Sequence, residues 1–349
     1  MLIFHNPVHH LHQGRHEMFR GRLVPCHEVP DRLEHVLAEL QRRPVGSLQT
    51  PAEISSAELE RIHSRRYLDF LAGAWEEWVA LDPANADIDA LPSVWPTRSF
   101  RHDVLPDNFA ARMGLFSFDA GTPLTAGTWA AARAGAACAM TAARQVAHST
   151  TPQSRHAFAL SRPPGHHAGA DFFGGYCFLN NAALAVQTLL DSGLQRVAVL
   201  DVDYHHGNGT QSIFYQRNDV LTVSLHGDPR SEYPFFLGYA DERGAGAGLG
   251  YNLNFPLPRG TAFPAWSQAL QSGLDAIRRF DAQALVVSLG VDTFEGDPIS
   301  GFALHTADYL QVGQAVAGAG LPTVFVFEGG YAVAEVGVNV VNVLEGFGS

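Results

Sequence analysis

Short apolar runs alternate along this chain with longer stretches of helical periodicity. The runs lie near 156–161, 196–202, 219–225, 284–290 and 322–328. Each is short and nearly continuous in apolar character, which predicts parallel strands buried on both faces. Between them, Asn181 to Asp191 reads as a helix stopped by Gly193. Trp266, Leu270, Leu274 and Ile277 recur at helical spacing and predict a buried stripe. Ser55-Ser56-Ala57-Glu58 forms a capping box, predicting a helix that carries Leu59, Ile62, His63, Phe70 and Leu71. Thr125 opens an alanine-rich helix running to about His148. Strand and helix signals in alternation predict an α/β fold: a predominantly parallel sheet, helices on both faces, and long loops at the carboxyl edge. No repeat or linker divides the 349 residues, so residues 1–349 are expected to form a single domain.

The stretch 81–124 breaks the pattern. It holds Pro83, Pro92, Pro96, Pro106 and Pro123 with no sustained period. A connection of that length inside a compact domain is usually functional or interfacial.

Composition adds bounds. A hydrophobic fraction of 46% against 17% charged residues supports a large core and excludes a disordered chain. The net charge of -12 is poorly matched to nucleic acid and better matched to cationic ligands. Cys26, Cys138 and Cys177 are odd in number, scattered, and match no zinc or redox spacing, which suits a reducing compartment. The start of the chain lacks a charged segment followed by a long apolar one, and no run is long enough to span a bilayer. The expectation is a cytoplasmic protein with neither a membrane nor a nucleic-acid partner. His5, His9, His10, His12, His16 and His27 are irregularly spaced with no evident acidic partner, and are expected in a solvated loop. Gly244 to Gly250 places Leu249 where a dinucleotide-binding glycine would be needed, and reads as a flexible loop.

The chemistry concentrates where strands end. Val197-Ala198-Val199-Leu200 runs into Asp201-Val202-Asp203-Tyr204-His205-His206-Gly207-Asn208-Gly209. Alternation along an extended chain sends Asp201, Asp203 and His205 to one side. Three further strand ends carry Arg162-Pro163-Pro164-Gly165-His166-His167, Gly290-Val291-Asp292 and Glu328-Gly329-Gly330-Tyr331. In a parallel sheet all four converge on the carboxyl edge, where ligands bind. Asp203, His205 and Asp292 then supply three oxygen and nitrogen ligands to one divalent metal and leave a position open, as catalytic zinc requires. Such a metal activates water near neutral pH. One histidine of the His166–His167 pair can take a proton and return it to a leaving amine. Tyr331 can donate to a developing oxyanion, while Asp201 and Asn208 are placed to orient the two histidines. The reaction class is amide or ester hydrolysis. Alone, an Asp-x-Asp-x-His run is equally a structural cation site, and a His-His pair in a Pro/Gly turn is an ordinary loop. Their joint occurrence on four strand ends favours catalysis.

Together these motifs resemble the arginase-like zinc deacetylases, which comprise histone deacetylases and bacterial acetylpolyamine amidohydrolases. Asn208, Phe173-Gly174-Gly175-Tyr176-Cys177-Phe178, Ser224-Leu225-His226-Gly227-Asp228-Pro229 and Glu328 are closer to the amidohydrolases. The resemblance implies zinc on Asp203, His205 and Asp292, His167 as general base and acid, His166 as its electrostatic helper, and Tyr331 polarising the carbonyl. It implies Tyr176 and Tyr233 as walls of a narrow tunnel. It also implies structural potassium near Asp201, Ser224 and Leu225, and near Phe214, Val220 and Tyr251. The insertion at 81–124 would join a homodimer and narrow the tunnel mouth. Where an acidic gate is expected this chain has Gly121, with Asp119 and Asp107 as the nearby acidic candidates for substrate binding.

The function expected is therefore removal of acetyl groups from small N-acetylated amines, polyamines or diamines such as acetylputrescine and acetylcadaverine. A deacetylase of acetyl-lysine in proteins is the alternative. A non-catalytic acetylamine sensor should have lost a ligand or the tyrosine, and this chain keeps Asp203, His205, Asp292, His167 and Tyr331.

Overall fold

A computed structural model describes residues 1–151 and 155–349. The strands are β1 (Leu2–His5), β2 (His16–Phe19), β3 (Arg22–Pro25), β4 (Ser47–Gln49), β5 (His156–Leu160), β6 (Val197–Asp201), β7 (Val220–Gly227), β8 (Asn252–Leu257), β9 (Ala284–Leu289) and β10 (Thr323–Phe327). The helices are α1 (Asp31–Arg42), α2 (Ser56–Leu59), α3 (Arg65–Leu81), α4 (Phe109–Phe116), α5 (Thr128–Ala147), α6 (Asn181–Asp191), α7 (Asn208–Phe214), α8 (Phe263–Phe280), α9 (Asp308–Ala317) and α10 (Val333–Gly348). Eight strands form one sheet in the order β4-β1-β5-β10-β9-β6-β7-β8, every pair parallel. The strands β2 and β3 form a separate antiparallel hairpin.

Alternation along the central strands explains the layering. Val197, Val199, Val286, Val324 and Val326 face one core with α3, α5 and α6, whereas Ala198, Leu200, Val287, Phe325 and Phe327 face the other with α1, α8, α9 and α10. Both faces are thus covered, as expected for a parallel sheet. All five expected strands form, within a residue or two of their expected ends.

Two helix expectations change. The capping box at Ser55 is present, with Glu58 reaching back to it, but α2 stops at Leu59. Ser64 starts α3 afresh by capping Tyr67. Between them His63 is drawn inward, its Nδ1 2.9 Å from Gly169 O and its Nε2 accepting from Asn180 N–H at 3.0 Å. Inside 81–124, α4 forms behind the Asn108 cap, so the insertion has structure of its own.

The four strands whose ends carry the motifs are β5, β10, β9 and β6. They are consecutive neighbours at the centre of the sheet.

Candidate active site

The strand order brings the metal-ligating groups together. One ligand atom from each of Asp203, His205 and Asp292 lies within 4.8 Å of the others, and all three residues are buried. Backbone amides hold the carboxylates in place. Asp203 accepts from His205 N–H at 2.9 Å and Gly329 N–H at 2.7 Å, and Asp292 accepts from Tyr204 N–H at 2.7 Å. Glycine is needed at 329, because a Cβ there would stand 2.5 Å from Asp203 Oδ2 and 2.7 Å from Asp292 Oδ2. Ion pairs reach these two carboxylates only from His166 and His205 among the described residues. Burial, with the Asp203 charge beside it, pushes the Asp292 carboxyl up to about 8. Two carboxyl groups and an imidazole crowded together out of water, all within reach of one point, are the oxygen and nitrogen donor set that suits a divalent metal.

The histidine pair sits against this group. His166 Nδ1 lies 2.9 Å from Asp201 Oδ2, and His167 Nδ1 lies 2.7 Å from Asn208 Oδ1. An amide oxygen only accepts, so the His167 proton sits on Nδ1 and the Nε2 lone pair is left free. Burial alone would lower His166, but Asp203 and Asp201, with Glu328 behind them, raise it to about 10. His167 is driven well below the ordinary histidine range by burial and by the charges of His166 and His205. One imidazole is therefore held cationic and its neighbour neutral.

Tyr331 faces the same space. Its N–H donates to Asp297 Oδ2 at 2.7 Å, and burial keeps its phenol protonated by pushing it well above 10. The Arg32 guanidinium lies 4.6 Å from the Tyr331 ring centroid and donates to the carbonyls of Gly330 and Glu328. Glu28, fully buried, accepts from both Arg32 and Arg162, tying the turn after β10 to the turn after β5.

A cavity of about 390 Å³ opens above this floor and is lined by His167, His205, Tyr331, Tyr176, Tyr233 and Glu17, among others. The Tyr233 ring meets His167 edge-on at 5.1 Å and stacks on Phe118 at 5.9 Å. Tyr176 meets Tyr331 at 5.5 Å. Each wall tyrosine is anchored by an acid: Tyr176 O–H donates to Glu17 at 2.9 Å and Tyr233 O–H to Asp119 at 2.6 Å.

Several expectations need correction. Asp119 lines the cavity, but it also accepts from Gly175 N–H, Gly121 N–H and the Thr122 hydroxyl, so it braces the wall as much as it faces the cavity. Asp107 is exposed and does not line the cavity. The N-terminal histidines do not form one solvated loop: His10 and His16 are exposed, His5 and His27 half-buried, and the others turned inward. His9 and His12 are buried, His9 pairs with Glu34, and His27 pairs with Glu17 at 2.8 Å. Their acidic partners are distant in the chain or face them only once the hairpin forms. Glu17, Glu28 and Arg32 carry no local signal because Tyr176, Arg162 and the Gly330 carbonyl that they meet lie far along the chain, and Arg20 is marked only by its place in the cavity lining. Of the proposed potassium groups, Asp201 and Ser224 are register partners on β6 and β7 with Leu225 beside them, while Phe214, Val220 and Tyr251 lie toward the amino edge.

A mostly parallel sheet with this site at its carboxyl edge defines an arginase/deacetylase-type α/β protein. The chain belongs to the histone deacetylase domain family, whose model matches residues 26–347. It is similar to acetylpolyamine amidohydrolase 2 of Pseudomonas aeruginosa, 52% identical over 315 residues that cover 90% of this chain and 89% of that protein. It is also 45% identical to the acetylpolyamine amidohydrolase of Mycoplana ramosa over 314 residues, 90% of each chain. The crystal structure of acetylpolyamine aminohydrolase from Burkholderia pseudomallei superposes with a TM-score of 0.93 at 38% identity, covering 100% of this chain and 99% of that one.

Proposed function

We propose that this protein is a zinc-dependent amidohydrolase that removes acetyl groups from small N-acetylated polyamines or diamines. The observation that carries the reading is the meeting of Asp203, His205 and Asp292 with a neutral His167 and a protonated Tyr331 at the floor of one aromatic-walled cavity. The similarity to amidohydrolases supports it. Asp203, His205 and Asp292 would hold the zinc. Bound there, the ion supplies a Lewis acid for the amide carbonyl and makes water nucleophilic at neutral pH.

The residues of the chain do the rest. Tyr331 donates its O–H to the carbonyl oxygen as negative charge develops. His167 Nε2 takes the proton from water and returns it to the departing amine. His166, held cationic by Asp201, keeps His167 neutral, and Asn208 fixes its tautomer. Tyr176 and Tyr233 enclose the alkyl chain and exclude water, and Glu17, Asp119 and Glu232 put negative charge in the walls. Structural potassium at the two groups above belongs to the same reading. So does a homodimer through 81–124, where Ile88, Val94, Phe100 and Leu105 are exposed apolar residues; sedimentation at micromolar concentration tests it.

The direct test is amine release by purified, zinc-loaded protein from acetylputrescine, acetylcadaverine and acetylspermidine against acetyl-lysine peptides. Faster turnover of the peptides would favour a protein deacetylase instead.

A further inference from the structure

The rim of the cavity differs in charge from its walls. The β2–β3 hairpin turns at Arg20 and Gly21, both in left-handed backbone with φ of 49° and 78°. Such two-residue turns favour Asn-Gly or Gly-Gly. An arginine there works against backbone preference, and local rules are broken in this way chiefly at functional positions. Arg20 lines the cavity. Its guanidinium lies 5.0 Å from the Phe19 ring centroid and has no ion-pair partner among the described residues.

Gly121 belongs to the same rim. A Cβ at that position would stand 3.2 Å from the Met18 carbonyl oxygen, so the hairpin backbone already covers it. Where a carboxylate gate was expected, the hairpin closes over and presents a guanidinium. Deeper in, Glu17 is paired with His27, and the Asp119 carboxylate accepts from the Tyr233 hydroxyl.

We infer that Arg20 is a specificity-determining residue that admits acetylated diamines and disfavours acetylated tri- and tetra-amines. The inference rests on the amidohydrolase reading and narrows its substrate class. With the acetamide at the floor, an extended tail runs outward between Tyr176 and Tyr233. The single free ammonium of a diamine lies along the acidic wall. Each further ammonium lies farther out, toward the rim, and meets the like charge of Arg20. Because the rim is exposed, salt should screen the repulsion.

The test compares kcat/KM for N-acetylcadaverine and N1-acetylspermine on zinc-loaded enzyme, at low and high ionic strength. The variants are Arg20→Glu, Arg20→Asn and Arg22→Glu. Arg20→Asn suits the left-handed turn and so keeps the hairpin intact. Arg22 is exposed on the same hairpin and does not line the cavity. The preference for the diamine should fall about tenfold in Arg20→Glu, as expected for reversing one exposed charge. It should fall less in Arg20→Asn, shrink with salt in the wild type, and hold in Arg22→Glu. A change under about twofold in Arg20→Glu, or an equal change in Arg22→Glu, overturns the inference while leaving the amidohydrolase reading intact. Hydrolysis of neither substrate by the wild type overturns that reading, and the inference with it.

Discussion

The floor and the rim of the cavity are built by opposite means. The floor comes from four adjacent strands at the centre of the sheet. Its groups are nearly solvent-free: Asp292 is 0% exposed and His166 2%. The rim comes from separate loops, the hairpin at 16–25, the segment 117–123 and the segment 231–235, and it includes Phe235 at 44% exposure. Reactive geometry sits at the ends of buried, paired strands, and selection on loops where single residues can change without disturbing the core.

The largest effects should follow from breaking the floor. Asp203→Ala or Asp292→Ala should lose bound zinc and lower turnover on the order of a thousandfold or more; full zinc content by mass spectrometry in either variant would refute its role as a ligand. His167→Ala should keep zinc and lose about a hundredfold to ten-thousandfold in kcat. Near-normal turnover would mean that another group acts as the base. Tyr331→Phe should lose about a hundredfold to a thousandfold in kcat with little change in substrate binding, and a pure KM effect would contradict a role in the transition state.

A second kind of break concerns stability. Burial would raise Glu28, but Arg162 and Arg32 outweigh it and hold its carboxyl at about 2. Its folded-state value lies below the unfolded one. The stabilisation it gives is therefore complete above about pH 4.5 and is lost as pH falls toward 2. Glu28→Gln leaves buried arginines unpaired and should destabilise by on the order of 3 kcal/mol at pH 7. Thermal melts across this window check both points; a Glu28→Gln melting curve that matches wild type at neutral pH would remove the network from the account.

The smallest effect belongs to the rim. Asp119→Asn keeps one accepting oxygen and exchanges the other for an amide donor, so KM for acetylated diamines should rise by about a few-fold with kcat held. A large fall in kcat would show that Asp119 belongs with the floor.

This division also explains what the sequence could reveal. Strands β5, β6, β9 and β10 are buried on both faces, so they read as apolar runs, and their reactive groups follow directly after them. Strand β4 is three exposed residues, and β8 alternates Asn and Pro with apolar residues, so neither carries that signal. Glu17 gains its role from Tyr176, 159 residues away, and Arg162 from Glu28, 134 residues away. Such pairings are properties of the folded topology and leave no local trace. The resemblance to a known family located Tyr176 and Tyr233, whereas Arg20 departs from local turn preference and becomes visible only as part of the rim.

One consequence lies in the glycines around Asp203. At Gly290 and Gly329 an added methyl would collide with its carboxylate, yet both glycines sit at the mouth of an otherwise undisturbed sheet. At Gly290 the methyl would also meet the Asp203 backbone, whereas at Gly329 it meets carboxylate atoms alone, so Gly329→Ala should displace the metal-ligating carboxylates first. The glycine pair after β10 thus guards the metal-binding geometry as much as the turn, and zinc affinity falling further than the melting temperature in Gly329→Ala would be the mark of that role.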